Sequence, residues 1–214
     1  MDKDTDRHNG SMSELILAAV PLGNIGDASS RLKEAIAQAE FIAAEDSRRF
    51  LRLCKDLDIE CRAQVISFFE GNEDERTALL INELRNGAEV LVVTDAGMPT
   101  VSDPGFKLVR AAIEENIPVE VLPGPSAVTT ALALSGLPTD RFCFEGFVPR
   151  TKGARETFFE NLKFENRTIV FFEAPHRLIE TLEVAISILG ENREGALCRE
   201  MTKTYEETIR GTLN

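Results

Sequence analysis

Two short motifs place acids beside bases, where proton chemistry becomes possible. "AEDSRR" carries Glu45, Asp46, Arg48 and Arg49, and "REMTK" carries Glu200 and Lys203. A carboxylate can accept a proton while a neighbouring cation steadies the developing charge. The same spacing also makes a plain surface ion pair. Three glycine-bearing stretches add a second theme: "PLGNIGD" at residues 21–27, "TDAGMPTVSDPG" at 94–105 and "PGPSA" at 123–127. Glycine at such points lets the backbone approach a ligand closely. A nucleotide phosphate is the first ligand to consider. No GK[ST] follows the glycines, which excludes a Walker loop. The dinucleotide pattern G-x-G-x-x-G also fails, because only Gly23 and Gly26 are present. Asp27 then puts a carboxylate at the helix start, where it can cap the helix but would repel a pyrophosphate. Glu45 and Asp46 nonetheless fall about 20 residues on, where a ribose-binding acid belongs. A dinucleotide-dependent oxidoreductase therefore stays as a rival reading.

The elements that must position these residues can be read from periodicity. Short β-branched runs predict strands at residues 15–20, 41–44, 64–68, 89–94 and 119–122. Between them lie helical patterns, with Leu32, Ala35, Ile36 and Ala39 in one and Ala78, Leu79 and Leu84 in another. Asn72 with Glu75 predicts a capping box, and Gly87 a helix stop. Alternating strands and helices imply a largely parallel sheet, with function at the strands' C-terminal ends. The three glycine stretches all fall there, so a ligand crevice is expected. After Pro123 the texture changes. A Pro- and Gly-rich stretch leads into the aromatic strands "FCFEGF" and "TIVFFE". A helix over residues 176–189 shows Leu178, Ile179, Leu182, Ile186 and Leu189 on one face, and strands follow at 196–200 and 207–211. The reading is a polar tail over residues 1–13, an α/β domain over 14–123 and a second α/β domain over 124–214.

Composition limits the partners. The 214 residues carry a net charge of −12, with 43% hydrophobic and 28% charged residues. No apolar run of about 18 residues exists to span a membrane, and the polar first residues lack a signal-peptide core. Four cysteines (Cys54, Cys61, Cys143, Cys198) without CxxC spacing, and only His8 and His176, argue against zinc and for reduced thiols. A cytoplasmic protein is expected. The net charge opposes non-specific coating of nucleic acid but leaves room for a local basic patch.

Read together and in order, "PLGNIGD", "AEDSRR", "TDAGMPTVSDPG", "PGPSA", "SGLPTDRFCFEGFVPR", "EAPHR" and "REMTKTYEE" resemble the tetrapyrrole-methylase-like methyltransferases. Within that superfamily they are most similar to the branch called ribosomal RNA small-subunit methyltransferase I, which methylates a cytidine 2′-hydroxyl with S-adenosylmethionine. The resemblance covers roughly residues 15–213. It implies a two-domain class III methyltransferase fold, with a mostly parallel first sheet and a mixed second one, a cofactor folded between the domains, and a homodimer. Two departures stand out. Ser47 replaces the usual threonine, and family chains normally continue past the equivalent of Asn214, so the last elements of the second domain are expected to be missing here.

The resemblance assigns the cofactor to Leu22 and Gly23, to Asp95, Ala96, Gly97, Pro99 and Ser102, to Gly124, Ser126 and Ala127, and to Phe172 and Glu173. Ser126 can equally cap the helix after it, Pro99 can merely stiffen its loop, and Phe172 can be core. Asp95 ends a buried strand, where a charge without a partner is costly. Methyl transfer needs alignment of oxygen, methyl and sulfur, and the hydroxyl needs a base or cation nearby. Asp46, Lys203, Glu45 and Glu200 are the catalytic candidates. For a ribosomal RNA or small-subunit substrate the binding candidates are Arg48, Arg49, Arg150, Lys152, His176 and Arg177. Residues 141–167 hold six basic residues (Arg141, Arg150, Lys152, Arg155, Lys163, Arg167) against four acids. Their loop "VPRTKGAR", without an acid of its own, is the expected phosphate clamp; solvated helix faces are the plainer alternative. A methylase of a small tetrapyrrole is the rival within the superfamily.

Overall fold

In the computed structural model, residues 13–214 are described. The expected tail, apart from its last residue, and His8 lie outside the described residues. The chain forms two compact units that divide between Pro125 and Ser126.

The first unit is built on β1 (Glu14–Ala18), β2 (Phe41–Ala44), β3 (Gln64–Ser67), β4 (Glu89–Val93) and β5 (Val119–Leu122). All five strands pair in parallel, in the order β3-β2-β4-β1-β5. The central strands are buried on both faces, as near-continuous apolar runs require. Leu15 and Leu17 of β1 point into a core with Leu80, Ile81 and Leu84 of α3 (Glu73–Arg85) and Leu108 and Ala112 of α4 (Phe106–Glu114). Ile16 and Ala18 point the other way. They meet Leu32 and Ile36 of α1 (Ser30–Gln38) and Phe50 and Cys54 of α2 (Ser47–Asp56).

Helix starts depart from expectation in two places. Asp27 closes a short 3-10 turn, whereas α1 is capped by Ser29, whose hydroxyl accepts from Leu32 N at 3.0 Å. Asn72 occupies the first position before α3 but makes no cap. Its side chain instead accepts from Phe69 N at 2.8 Å and donates to Ser67 O at 3.0 Å, holding the turn after β3.

The second unit contains α5 (Ala127–Ser135), β6 (Phe142–Phe147), α6 (Lys152–Leu162), β7 (Thr168–Phe172), α7 (Leu178–Leu189), β8 (Glu194–Arg199) and β9 (Glu207–Thr212). Parallel and antiparallel pairing both occur, in separate two-stranded sheets: β6 with β7, and β8 with β9. The apolar face expected of α7 is only partly buried: Leu178, Leu182, Ile186 and Leu189 are half-buried. Thr181 and Ala185 are buried, with Val184 and Ile188 beside them, while Ile179 is 74% exposed. Residues 175–177 form a 3-10 turn ahead of α7, so His176 precedes the helix proper. Among the described residues no helix is long and apolar enough to cross a membrane.

Candidate active site

The strand order sets the C-terminal ends of β2, β4, β1 and β5 side by side. Their loops are tied together through the end of β1. Val20 N donates to Gly97 O at 2.9 Å, and Gly97 N donates to Val20 O at 3.0 Å, an isolated bridge joining the first two glycine loops. Gly97 sits at φ +83°, a conformation that side chains resist. The third loop approaches the neighbouring residue: a Cβ built on Gly124 would lie 2.9 Å from Ala19 Cβ. Gly124 is therefore required by the close approach of the Ala19 side chain, whatever it does for a ligand.

The loop after β4 is tightly wound. Thr100, Ser102 and Gly105 all have positive φ, and Thr100 N donates to Pro104 O at 3.3 Å. Ala96 is half-buried and Pro99 buried, while Ser102 is exposed. The exit of this loop is held from a distance. Gly105, which starts α4, has no side chain to cap it; Glu73 of α3 accepts from Gly105 N at 2.9 Å and Lys107 N at 3.4 Å. Sequence patterning missed Glu73, because its partners are over thirty residues away. Leu22 is half-buried and Gly23 exposed in the first loop.

Carboxylates gather at this edge. Glu45 follows β2 and accepts from Asp95 N at 3.1 Å; Arg49 Nη1 donates to Asp95 Oδ2 at 2.6 Å. Asp95 thus has the partner its position demands, and Arg49, expected on substrate, is engaged with it. Burial pushes the Glu45 carboxyl up, with the Asp95 charge adding to it and the Asp95 amide opposing it. Asp46 behaves oppositely. It caps α2, accepting from Arg48 N at 2.8 Å and Arg49 N at 3.3 Å, and pairs with the Arg48 guanidinium at 3.2 Å. Those bonds, the Arg48 side chain first, hold its proton affinity below the usual range. Asp46, expected among the proton acceptors, is the cap of α2, and its bonds favour the charged form. Asp103, unremarked in the sequence, is pushed up to about 7 by burial first and then by the charges of Glu45 and Asp95. Its only sequence signal was membership of the same glycine-rich loop as Asp95.

In the second unit several candidates face inward. Glu173 accepts from Ala174 N at 2.6 Å and from Thr181 Oγ1 at 2.5 Å, and pairs with Arg177. The Glu173 and Arg177 side chains are only 5% and 15% exposed, so this pair braces β7 against α7. Both residues, expected on cofactor and RNA, are thus engaged with each other. Phe172 packs edge-on against Phe144 and Phe147, with centroids 4.9 and 5.4 Å apart. Ser126 stands at the start of α5 without a side-chain cap bond, and Ala127 is the first helical residue. His176 is exposed. Glu200 and Lys203 pair at 3.2 Å in the turn between β8 and β9, where Glu200 and Thr202 both have positive φ. Of the basic residues at 141–167, Arg155 is buried, Arg167 is bonded to Glu165, and Arg150 and Lys152 are exposed.

The sheet order departs from that of the dinucleotide rival. A dinucleotide fold runs 3-2-1-4-5-6, whereas here β4 lies between β2 and β1. The carboxylates likewise suit a cationic ligand rather than a pyrophosphate.

Comparison with known proteins agrees. The family model for tetrapyrrole (corrin/porphyrin) methylases matches residues 14–214. A protein named ribosomal RNA small subunit methyltransferase I from Mycobacterium bovis is 51% identical, over 95% of this chain and 72% of that one. One of the same name from Halalkalibacterium halodurans is 45% identical, over 93% and 68%. Among solved structures, the methyltransferase CobJ superposes with a TM-score of 0.70 at 18% identity, over 96% of this chain and 87% of that one. Uroporphyrin-III C-methyl transferase from Thermus thermophilus, complexed with S-adenyl homocysteine, gives 0.60 at 18% identity, over 94% and 88%. The fold, the loop edge and the match along residues 14–214 lead to one conclusion: this chain belongs to the tetrapyrrole methylase family.

Proposed function

We propose that the protein uses S-adenosylmethionine to methylate the ribose 2′-hydroxyl of a cytidine in small-subunit ribosomal RNA. The observation that carries this is the 51% identity, over 95% of the chain, to a protein named for that RNA. The position on the nucleotide rests on the motif resemblance. The loop edge of the first unit fits the cofactor: it offers close-approach glycines and carboxylates for a cation, and no phosphate loop. Gly97, Asp95 and Ala96 would hold the methionine part, with Leu22, Gly23, Pro99 and Ser102 around it. Gly124, Ser126 and Ala127 follow from the resemblance alone. The bound cofactor supplies an electrophilic methyl group.

The chain's own contribution is to position the hydroxyl and take its proton. Glu45 and Asp103 are the carboxylates whose surroundings raise their proton affinity, Asp103 to about 7. Lys203 and Glu200 belong to a strained turn of the kind that collects at functional sites. Arg150 and Lys152, with Arg48 as a second cluster, contact RNA phosphates. The protein works in the cytoplasm, as a homodimer.

The test is transfer of labelled methyl from S-adenosylmethionine to small ribosomal subunits lacking the modification, followed by nuclease digestion and mass analysis. Recovery of 2′-O-methylcytidine is expected. Labelling of a tetrapyrrole precursor with unlabelled subunits would overturn the reading.

A further inference from the structure

The loop between β6 and α6 is held by two arginines that the RNA does not need to see. Arg177 Nη1 donates to Val148 O at 3.2 Å. Arg155 donates through Nε to Pro149 O at 3.5 Å and through Nη2 to Arg150 O at 3.1 Å. Three consecutive carbonyls therefore turn inward onto two guanidiniums. Both cations are anchored from behind: Arg155 pairs with Glu180 at 3.3 Å, and Arg177 with the buried Glu173. The Arg155 side chain is 4% exposed, so it cannot be one of the phosphate contacts its charge suggested. Val148 N also donates to Phe172 O at 3.1 Å, fixing the loop's start to β7. Only the outward side remains for a ligand, and there Arg150 and Lys152 are exposed.

We infer that Arg155 and Arg177 are positioning residues that lock residues 148–150 so that Arg150 and Lys152 meet the RNA backbone in a preset arrangement. The inference rests on the proposed RNA contact of this loop. A planar guanidinium can satisfy two adjacent carbonyls and a carboxylate at once, which a lysine ammonium at the same place cannot reproduce. Freed, the loop would lose its fixed register and its two cations would have to be ordered on each binding event.

The experiment uses the full chain and small ribosomal subunits, with affinity measured across salt concentrations beside S-adenosylhomocysteine affinity and methylation kinetics. Arg150→Ala with Lys152→Ala should flatten the slope of log affinity against log salt by about 1.4. Arg155→Lys should flatten it in the same direction and raise KM for the subunit at unchanged kcat and unchanged S-adenosylhomocysteine affinity. Added to the alanine pair, Arg155→Lys should change affinity less than about twofold, since it acts through the residues already removed. A wild-type slope and KM in Arg155→Lys overturns the inference, as does a full additional loss in the alanine background. Should Arg155→Lys lose cofactor affinity as well, Glu180→Gln decides: its carboxylate is 71% exposed and only anchors Arg155. A smaller shift of the same kind is then expected, and none overturns the inference. If the alanine pair itself binds RNA normally, the phosphate role of the loop is what fails.

Discussion

Gly124→Ala tests how closely the third loop approaches β1. The new Cβ would stand 2.9 Å from Ala19 Cβ. Carbon atoms pack at about 3.5–4.0 Å, so the overlap is about 0.6–1.1 Å. Neither side can retreat freely. Ala19 is 4% exposed, its amide donates to Leu122 O at 3.1 Å, and Val20 next to it is bridged to Gly97. Overpacking at such a point destabilises by about 1–3 kcal/mol, which for a chain of this size lowers Tm by about 2–12 °C. Ala19→Gly supplies the internal control. It removes the clashing atom and leaves only Ala19 O at 3.9 Å, an ordinary contact. The double variant should melt above Gly124→Ala alone, although the second glycine itself costs about 0.5–1 kcal/mol. Circular dichroism melts of the four proteins, with calorimetric titration of S-adenosylhomocysteine, make the cycle. A melt within a degree of wild type, or no relief by Ala19→Gly, refutes the steric argument. An unchanged melt with lost cofactor affinity would assign the glycine to the ligand alone.

Asp103→Asn should stabilise the protein increasingly as pH rises. Folded Asp103 keeps its proton up to about 7, an unfolded aspartate releases it near 4, and so wild type loses stability between those values. At face value the gap is worth about 4 kcal/mol, reduced by solvent screening of a half-buried group to about 1–2 kcal/mol; parallel Tm curves for the two proteins from pH 4 to 8 would refute it. Glu73→Ala should cost about 1 kcal/mol in a denaturant titration by uncapping α4, with Glu73→Gln, which keeps an acceptor, losing less. Gly97→Val should abolish S-adenosylmethionine binding and lose about 1–2 kcal/mol from its left-handed backbone; normal affinity by calorimetry would move the cofactor elsewhere.

The first unit was readable because its signals are local. Apolar runs such as Leu15–Leu17 and Val90–Val93 fill both sheet faces, and glycines mark the strand ends where loops must crowd. What stayed hidden depends on partners far along the chain. "NEDE" after the third strand reads as a capping box, yet Asn72 serves the preceding turn and Glu73 reaches α4. Charge counting fails in the second unit for a related reason. It registers Arg155 and Arg177 as cations but not that carbonyls and carboxylates enclose them. In α7 eight of twelve positions are apolar, so more than one face fits the periodicity; packing buries Thr181, whose hydroxyl has Glu173 as partner.

Glu45 and Asp46 show how neighbouring carboxylates acquire different chemistry. Adjacent in sequence, they read as equivalent bases. The fold separates them by one step: Asp46 begins α2, where amides and Arg48 favour its charge, and Glu45 remains at the strand end, where burial and Asp95 disfavour it. Environments that drive two acids apart are how one site acquires both a fixed charge and a proton acceptor. Asp103 extends the second role, since it shares the repulsion of Glu45 and Asp95. A cationic cofactor arriving at this edge would relieve that repulsion and lower the proton affinity of Glu45 and Asp103. On the proposed reading, cofactor binding therefore primes the edge: a carboxyl partly protonated near pH 7 becomes the carboxylate that can take the hydroxyl's proton. S-adenosylmethionine binding should then release protons to buffer near pH 7, measurable as a dependence of calorimetric heat on buffer ionisation enthalpy. The release should vanish in Asp103→Asn, and its persistence there would refute the linkage.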